Sequence, residues 1–474
     1  MGRRAVPPNR ARRGADAVHT ISMRISSTPR AASYVILATG VSFWLGSLRR
    51  PTIPAHLLND AIVLKDLIDE PTFHELRALV RTLGAEGYAL NTNDLKAYTT
   101  EHEHIGEAVP MPSDGKCADV FMVPSLNRTH CILPGRIDIG RHYVTTGGIE
   151  GLRESAQALT SRALSFGRYI FDLSEQPIVA QLFGSERFLV AARSICPASK
   201  PYLAPFQYNF ILQVPGQTVP MHVDGVYFWG ATRFEFPQWL LAVMLFSGAF
   251  RERFVHQVQV VGYLHARYEP SSAGEFLWWG PEAVRRTAPL PRSGTVVDGS
   301  RTLHAAAAYR PEAGPPPIDK DLETALVHVG EGRWELRAES RTVRTYSEDE
   351  LRISIVYRAH CFQDADEAAM FHATLPLKPA SHARAADGRQ PPEPPEGLRR
   401  LSLDDVMATL RADLARRNKP MPAGLMPYEI AMRLLREYVR YPPPPGAWLP
   451  FNYCALGGLV PRLKPALRWV CATV

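Results

Sequence analysis

Gln213–Phe228 reads QVPGQTVPMHVDGVYF and holds the only His-x-Asp of the chain, at His222 and Asp224. Taken as a strand, residues two apart share a face, so both side chains are expected to reach one metal from one side. Downstream, Ser293–Ala306 reads SGTVVDGSRTLHAA and sets His304 just beyond a Val-rich run, where a neighbouring strand would bring it back to the same place. Two imidazoles and one carboxylate are the smallest set that grips one face of Fe(II) and leaves the opposite face open. Open positions admit a co-substrate and dioxygen, which points to an iron oxygenase. His-x-Asp alone says little, because a chain this long is expected to show it about once by chance. Its value comes from its surroundings.

From about residue 206 the chain becomes a series of short runs rich in Val, Ile, Phe, Tyr and Trp: FQYNFILQV, WLLAVMLF, HQVQVVGYLHA, EFLWWG, GTVVDGS and LRISIVYRAHCF. Gly and Pro separate many of them, which predicts strands of a sandwich or barrel. Upstream, HLLNDAIVLKDLIDEPTFHELRALVRTL carries apolar residues at helical spacing, with Glu70-Pro71 as a junction between two helices. SEQPIVAQLFGSERFLVAARSICP predicts a further helix interrupted by Gly, and LSLDDVMATLRADLARRN and MPYEIAMRLLREYVRY predict helices after residue 366. Pro-rich stretches at 311–317, 391–395 and 442–445 read as loops or linkers.

The 474 residues are 46% hydrophobic and 21% charged, ordinary for a globular protein with a real core. The net charge of +7 is concentrated at one end: the first fifty residues hold nine Arg, no Lys and one acid, Asp16. The rest is within one charge of neutral, so no global basic field draws nucleic acid, and no nucleic-acid partner is expected. Residues 1–30 read as a disordered basic leader. Residues 31–48 are uncharged and flanked by Arg, near the minimum length for a membrane span. They predict a signal anchor of a single-pass membrane protein, or a cleaved signal of a lumenal protein of the secretory pathway; an organellar transit peptide and a buried helix are the alternatives. A sequon at Asn127-Arg128-Thr129 fits a lumenal body. Six scattered cysteines without a C-x-x-C define no disulfide framework and argue against a zinc ribbon.

The surroundings of the candidate ligands form an ordered set. Gly216-Gln217 precedes His222; Gly262-Tyr263-Leu264 and Gly274-Glu275-Phe276 follow; Gly294-Thr295-Val296-Val297 opens the run leading to His304. Arg352-Ile353-Ser354 lies in the last apolar run, with Arg358 on the same face as its rival. Together these resemble the 2-oxoglutarate- and Fe(II)-dependent dioxygenases, especially their prolyl 4-hydroxylase-like branch, over about residues 165–365. The resemblance implies an α+β chain with a double-stranded β-helix (jelly-roll) core and flanking N- and C-terminal helices. Its divisions are a mostly helical region at 49–165, the core at 166–365 with an insertion at 311–347, and a helical region at 366–474. It implies metal binding by His222, Asp224 and His304, and 2-oxoglutarate as co-substrate held by Arg352 and Ser354. Arginine suits that task because its planar fork binds a carboxylate bidentately. Gln213 stands where prolyl hydroxylases commonly place a tyrosine that contacts the co-substrate. The resemblance further implies dioxygen as the oxidant, ascorbate as an optional addition, and a protein side chain or a small molecule as the second substrate. Arg352 follows His304 by 48 positions, more than the usual gap, hence the insertion.

Plainer readings compete. A lone His in a strand is more often a hydrogen-bonded core residue than a ligand, and His265 and His360 are taken so. Glu101-His102-Glu103-His104 reads as a solvated loop. Tyr227 and Trp229 follow the ligands directly and are candidate substrate walls, although aromatic runs in strands, Trp278-Trp279 included, usually fill a core. Two other functions stay open: a jelly-roll binding or scaffold module without turnover, and a cupin-type metal hydrolase or isomerase that would not need Arg352.

Overall fold

In the computed structural model the described residues are 53–90, 109–115, 117, 122–124, 129–133, 161–314, 316–318, 322–375, 394–439 and 460–463. In chain order they begin with β1 (Ile62–Leu64), α1 (Glu70–Glu86) and β2 (Tyr88–Leu90). A small sheet of β3 (Val109–Pro110), β4 (Val123–Pro124) and β5 (His130–Ile132) follows, then β6 (Phe166–Ile170), α2 (Pro177–Gly184) and α3 (Glu186–Arg193). Next come β7 (Tyr202–Gln213), β8 (Val219–His222), α4 (Gln238–Ser247), β9 (Gln257–Tyr263), β10 (Phe276–Trp279), β11 (Val284–Thr287), β12 (Gly294–Val297) and β13 (His304–Ala306). The chain continues through β14 (Thr324–His328), β15 (Arg333–Ala338), β16 (Arg341–Ser347), β17 (Arg352–Phe362), α5 (Ala365–Thr374), α6 (Leu403–Arg416) and α7 (Pro427–Tyr438).

Two antiparallel sheets position the site. The larger has ten strands in the order β1-β12-β9-β17-β7-β6-β2-β14-β15-β16, the smaller four in the order β11-β10-β13-β8. Strand β17 shows how sequence alternation sorts the two faces of the large sheet. Ile353, Ile355, Tyr357, Ala359 and Cys361 join a core with α1, α2 and α3 residues such as Leu76, Val80, Leu182 and Phe188. The intervening Arg352, Ser354, Val356, Arg358 and His360 lie on the opposite face. Arg358 and its strand partner Gln259 there meet Asp224 and His304 from the smaller sheet's side, so the second face of the sheet is polar and half enclosed.

Three sequence expectations need correction. WLLAVMLF is the helix α4, not a strand. It follows Pro237, ends at Gly248 in the left-handed region (φ 67°), and is buried from Trp239 to Ser247. A helix apolar on every side has no period to read, and Leu, Ala and Met favour helix up to the Gly248 stop. It packs in one core with Leu277 and Trp279 of β10, Leu410 and Leu414 of α6, and Leu434 and Leu435 of α7. Second, only the later half of HLLNDAIVLKDLIDEPTFHELRALVRTL is helical. Asp69 caps α1 by accepting the Thr72 N–H at 2.9 Å, and Pro71 sits in the first turn where no N–H is needed. The earlier half instead supplies β1, which pairs with β12. Third, the expectation of a single-pass membrane protein is not upheld: among the described residues no helix is long and apolar enough to cross a membrane. The stretch 31–48, like the leader 1–30 and Glu101–His104, lies outside the described residues, as does most of the sequon.

The stretch 311–347 carries the meander β14-β15-β16, which extends the large sheet past β2. Trp334 is fully buried beneath Gly84 of α1, where a Cβ would fall 2.5 Å from its ring. SEQPIVAQLFGSERFLVAARSICP forms α2 and α3, broken at Ser185 after Gly184. Disulfides join Cys117 to Cys131 and Cys196 to Cys361. Sequence spacing did not reveal either pairing.

Candidate metal centre

His222 is the last residue of β8 and His304 the first of β13, and the two are direct partners in the antiparallel ladder. Their ring centroids are 4.2 Å apart. Each ring is fixed by its Nδ1, which donates to the backbone carbonyl two residues earlier: His222 to Pro220 at 2.7 Å and His304 to Thr302 at 2.8 Å. That tautomer leaves each Nε2 with a free lone pair, the form a metal requires. Gln259 extends its amide toward His304 Nε2 at 3.5 Å, as a donor to that lone pair would.

Asp224 is placed differently from expectation. The strand stops at His222, so alternation does not aim the carboxylate. Instead the Asp224 N–H donates to the carbonyl of Gly299 at 2.8 Å, which draws it against the loop Asp298–Thr302. Gly299 has to be glycine for steric reasons: a Cβ there would lie 2.2 Å from Asp224 Oδ2 and 3.3 Å from His304 Cε1. The result is a cluster of His222, Asp224 and His304 whose ligand atoms all lie within 4.8 Å of one another. Asp224 Oδ1 is 3.6 Å from His222 Nε2 and 3.6 Å from Arg358 Nη2. Burial alone would push this carboxyl up, but the Arg358 guanidinium and the two imidazoles outweigh it and hold Asp224 well below the usual carboxylate range. Burial, followed by repulsion from His222, pulls His304 down to about 4. An ionised carboxylate and a neutral imidazole are the protonation states in which these groups bind a divalent cation.

The facing side of the large sheet is ordered in rows by strand pairing. Gln213 pairs with Arg352; Ile211 with Ser354 and Ser354 with Tyr263; Asn209 with Val356; Arg358 with both Gln207 and Gln259. Arg352 is 5% exposed, donates from Nη1 to Gln213 Oε1 at 2.6 Å and stacks over the Tyr263 ring at 5.2 Å. Among the described residues it makes no ion pair, and its Nε is buried without a hydrogen-bond partner. Gln213 Nε2, Asn209 Nδ2 and Gln259 Oε1 are likewise buried and unpartnered. A buried guanidinium without a counter-ion, beside unmet amides, is an environment that an anion would satisfy. Arg358, by contrast, already has Asp224 and the side-chain Oδ1 of Asn209, the latter at 2.7 Å. Ser354 Oγ donates to the Ile211 carbonyl at 3.4 Å.

Tyr227 and Trp229 are each 3% exposed and belong to an aromatic cluster with Phe362 and Phe371, filling the core rather than walling a cleft. His360 stacks on Phe206 at 4.3 Å within the same region, and His265 bonds the carbonyl of Pro289 at 2.5 Å. Sequence reasoning missed Asn209, Gln259 and Tyr263 as neighbours of the site. Strand parity from Arg352 reaches Arg358, but which residues of β7 and β9 stand beside it depends on register. The Gly-Gln pair gains a physical reason: Gly216 has φ 88°, and Gln217 staples the turn by accepting the Val214 N–H at 2.9 Å. Its amide also donates to the Leu164 carbonyl.

No family model matches the chain, and no curated protein matches it. Solved structures do. A prolyl-4-hydroxylase from Pseudomonas putida is similar at 10% identity over 64% of this chain and 93% of its own, with a TM-score of 0.30. A prolyl hydroxylase from Trichoplax adhaerens, in complex with a hypoxia inducible factor peptide fragment, is similar at 8% identity over 72% and 94%, with a TM-score of 0.30. The non-heme alpha ketoglutarate dependent epimerase SnoN from nogalamycin biosynthesis is similar at 12% identity over 78% and 98%, with a TM-score of 0.28.

Proposed function

We propose that the chain is an Fe(II)- and 2-oxoglutarate-dependent dioxygenase built on a double-stranded β-helix, hydroxylating a protein side chain or a small molecule. The single observation that carries this is the convergence of His222, Asp224 and His304 opposite a sheet face bearing Arg352, a buried cation that makes no ion pair among the described residues. The three ligands fit Fe(II): two lone-pair nitrogens and one ionised carboxylate, with the remaining coordination positions left free. Arg352 would hold the far carboxylate of 2-oxoglutarate, and Gln213 would turn its unused amide N–H to the same group. Burial raises the Tyr263 phenol, so it stays protonated and able to donate there. Bound together, iron and co-substrate would supply oxidative decarboxylation by dioxygen, giving succinate, carbon dioxide and one hydroxyl group inserted into a C–H bond of the second substrate.

The chain's own contribution is geometric and electrostatic. Backbone carbonyls of Pro220 and Thr302 hold the imidazole tautomers, the Gly299 loop holds the carboxylate, and Arg358 keeps that carboxylate ionised while it is shielded from water. A binding module has no need for a buried cation set apart from the ligands, and a cupin-type hydrolase has no need for Arg352. The test is conversion of 2-oxoglutarate to succinate by the full chain with Fe(II), with and without candidate substrates. Turnover that His222→Ala abolishes is expected. Equal turnover in wild type and His222→Ala, or none in an iron-loaded wild type that also fails to bind 2-oxoglutarate, overturns the proposal.

A further inference from the structure

Two of the three candidate ligands are oriented by one short loop. Asp298–Thr302 supplies the Gly299 carbonyl to the Asp224 N–H, the bare Gly299 Cα against the Asp224 carboxylate, and the Thr302 carbonyl to His304 Nδ1. What fixes that loop comes from the far end of the chain. Asn59 Nδ2 donates to the Arg301 carbonyl at 2.8 Å, and Arg301 Nη2 donates back to Asn59 Oδ1 at 3.2 Å. Two residues earlier, the Leu57 carbonyl accepts the N–H of Leu303, the residue before His304, at 3.5 Å. Leu57 itself is fully buried in the core with Leu303, and His56 Nε2 bonds the Leu245 carbonyl at 2.8 Å, so the segment is anchored on both sides of Asn59 by contacts with α4 and by β1. Within the loop, Arg301 Nη1 reaches His256 Nδ1 at 3.4 Å, while Ser300 Oγ donates to Asp298 Oδ1 at 2.6 Å.

We propose that Asn59 is a positioning residue of the metal centre, clasping Arg301 so that the loop presents Asp224 and His304 together. This rests on the metal-binding reading above and goes beyond it by assigning part of the site's preorganisation to the segment around Asn59, which precedes in sequence the small sheet that bears His222 and His304. Groups that orient metal ligands from behind typically govern affinity by about tenfold to a hundredfold. An ordinary structural contact would lower stability without selecting the metal.

The experiment is Ni(II) titration of the full chain by calorimetry, with thermal unfolding of the metal-free protein measured alongside. Asn59→Ala should raise the Ni(II) Kd about tenfold or more. Leu336→Ala, buried in β15 at the other end of the large sheet, should lower the melting midpoint while leaving Kd within about twofold of wild type. Asn59→Asp keeps the acceptor for Arg301 and loses the donor, so it should fall between wild type and Asn59→Ala; it carries the test if Asn59→Ala does not fold. A wild type that binds Ni(II) alongside an unaffected Asn59 variant overturns this inference alone, as does a Leu336→Ala effect on Kd equal to that of Asn59→Ala. A wild type that binds no Ni(II) overturns the metal reading itself.

Discussion

Replacing Gly299 with alanine adds one methyl group at the most crowded point of the site. The φ of Gly299 lies outside the left-handed region, so alanine meets no backbone strain and the effect is purely one of contact. Its Cβ would stand 2.2 Å from Asp224 Oδ2, 3.0 Å from Asp224 Cγ and 3.3 Å from His304 Cε1. Restoring van der Waals separation requires the carboxylate or the loop to shift by roughly 1 Å. Neither moves independently, because the Gly299 carbonyl bonds the Asp224 N–H at 2.8 Å and Asp224 Oδ1 is flanked by His222 and Arg358, each at 3.6 Å. A metal site tolerates about 0.5 Å of misplacement. Gly299→Ala should therefore remain folded, by circular dichroism, while its Ni(II) affinity falls on the order of a hundredfold and turnover falls with it. A Gly299→Ala protein that binds Ni(II) like wild type would mean that Asp224 is not a ligand in the arrangement described.

Three further outcomes follow from the structure. Arg352→Met should leave Ni(II) binding intact and weaken 2-oxoglutarate binding by about a hundredfold, the scale for removing one partner of a buried charge pair; it should not weaken 2-oxovalerate, which lacks the far carboxylate, and calorimetry with both acids checks this. His265 is drawn down to about 4 from 6.5, first by burial and then by Arg352, so the unfolded chain binds its proton more readily. Stability from this group is complete above about pH 6.5 and lost as pH falls toward 4, on the order of 3 kcal/mol, and His265→Gln should flatten that part of a denaturation-versus-pH curve. The Cys196–Cys361 bridge closes 165 residues that include all three candidate ligands and Arg352. Cys196→Ser with Cys361→Ser should cost roughly 2–5 kcal/mol in urea denaturation.

The candidate ligands were legible because chemistry limits which residues can bind iron, and because Val-rich runs bounded by Gly announce strands. GTVVDGS, HQVQVVGYLHA and LRISIVYRAHCF became β12, β9 and β17, and LSLDDVMATLRADLARRN became α6 behind its Ser402 cap. Other features were hidden for physical reasons. The all-apolar α4 has no amphipathic period, since it is enclosed on every side. The setting of Asp224 depends on a loop 75 positions away and on the absence of a side chain at Gly299. The partners of Arg352 and Arg358 follow from strand register, and the meander β14-β15-β16 follows from sheet edges meeting. Neither is recorded in local composition.

The most direct measurement is a crystal structure of the full chain soaked with Mn(II) and 2-oxoglutarate, read by anomalous scattering. One strong peak bonded to His222 Nε2, the Asp224 carboxylate and His304 Nε2, with the dicarboxylate reaching from it to the Arg352 guanidinium, is the expected result. A peak elsewhere, or a co-substrate whose far carboxylate turns away from Arg352, would contradict the account.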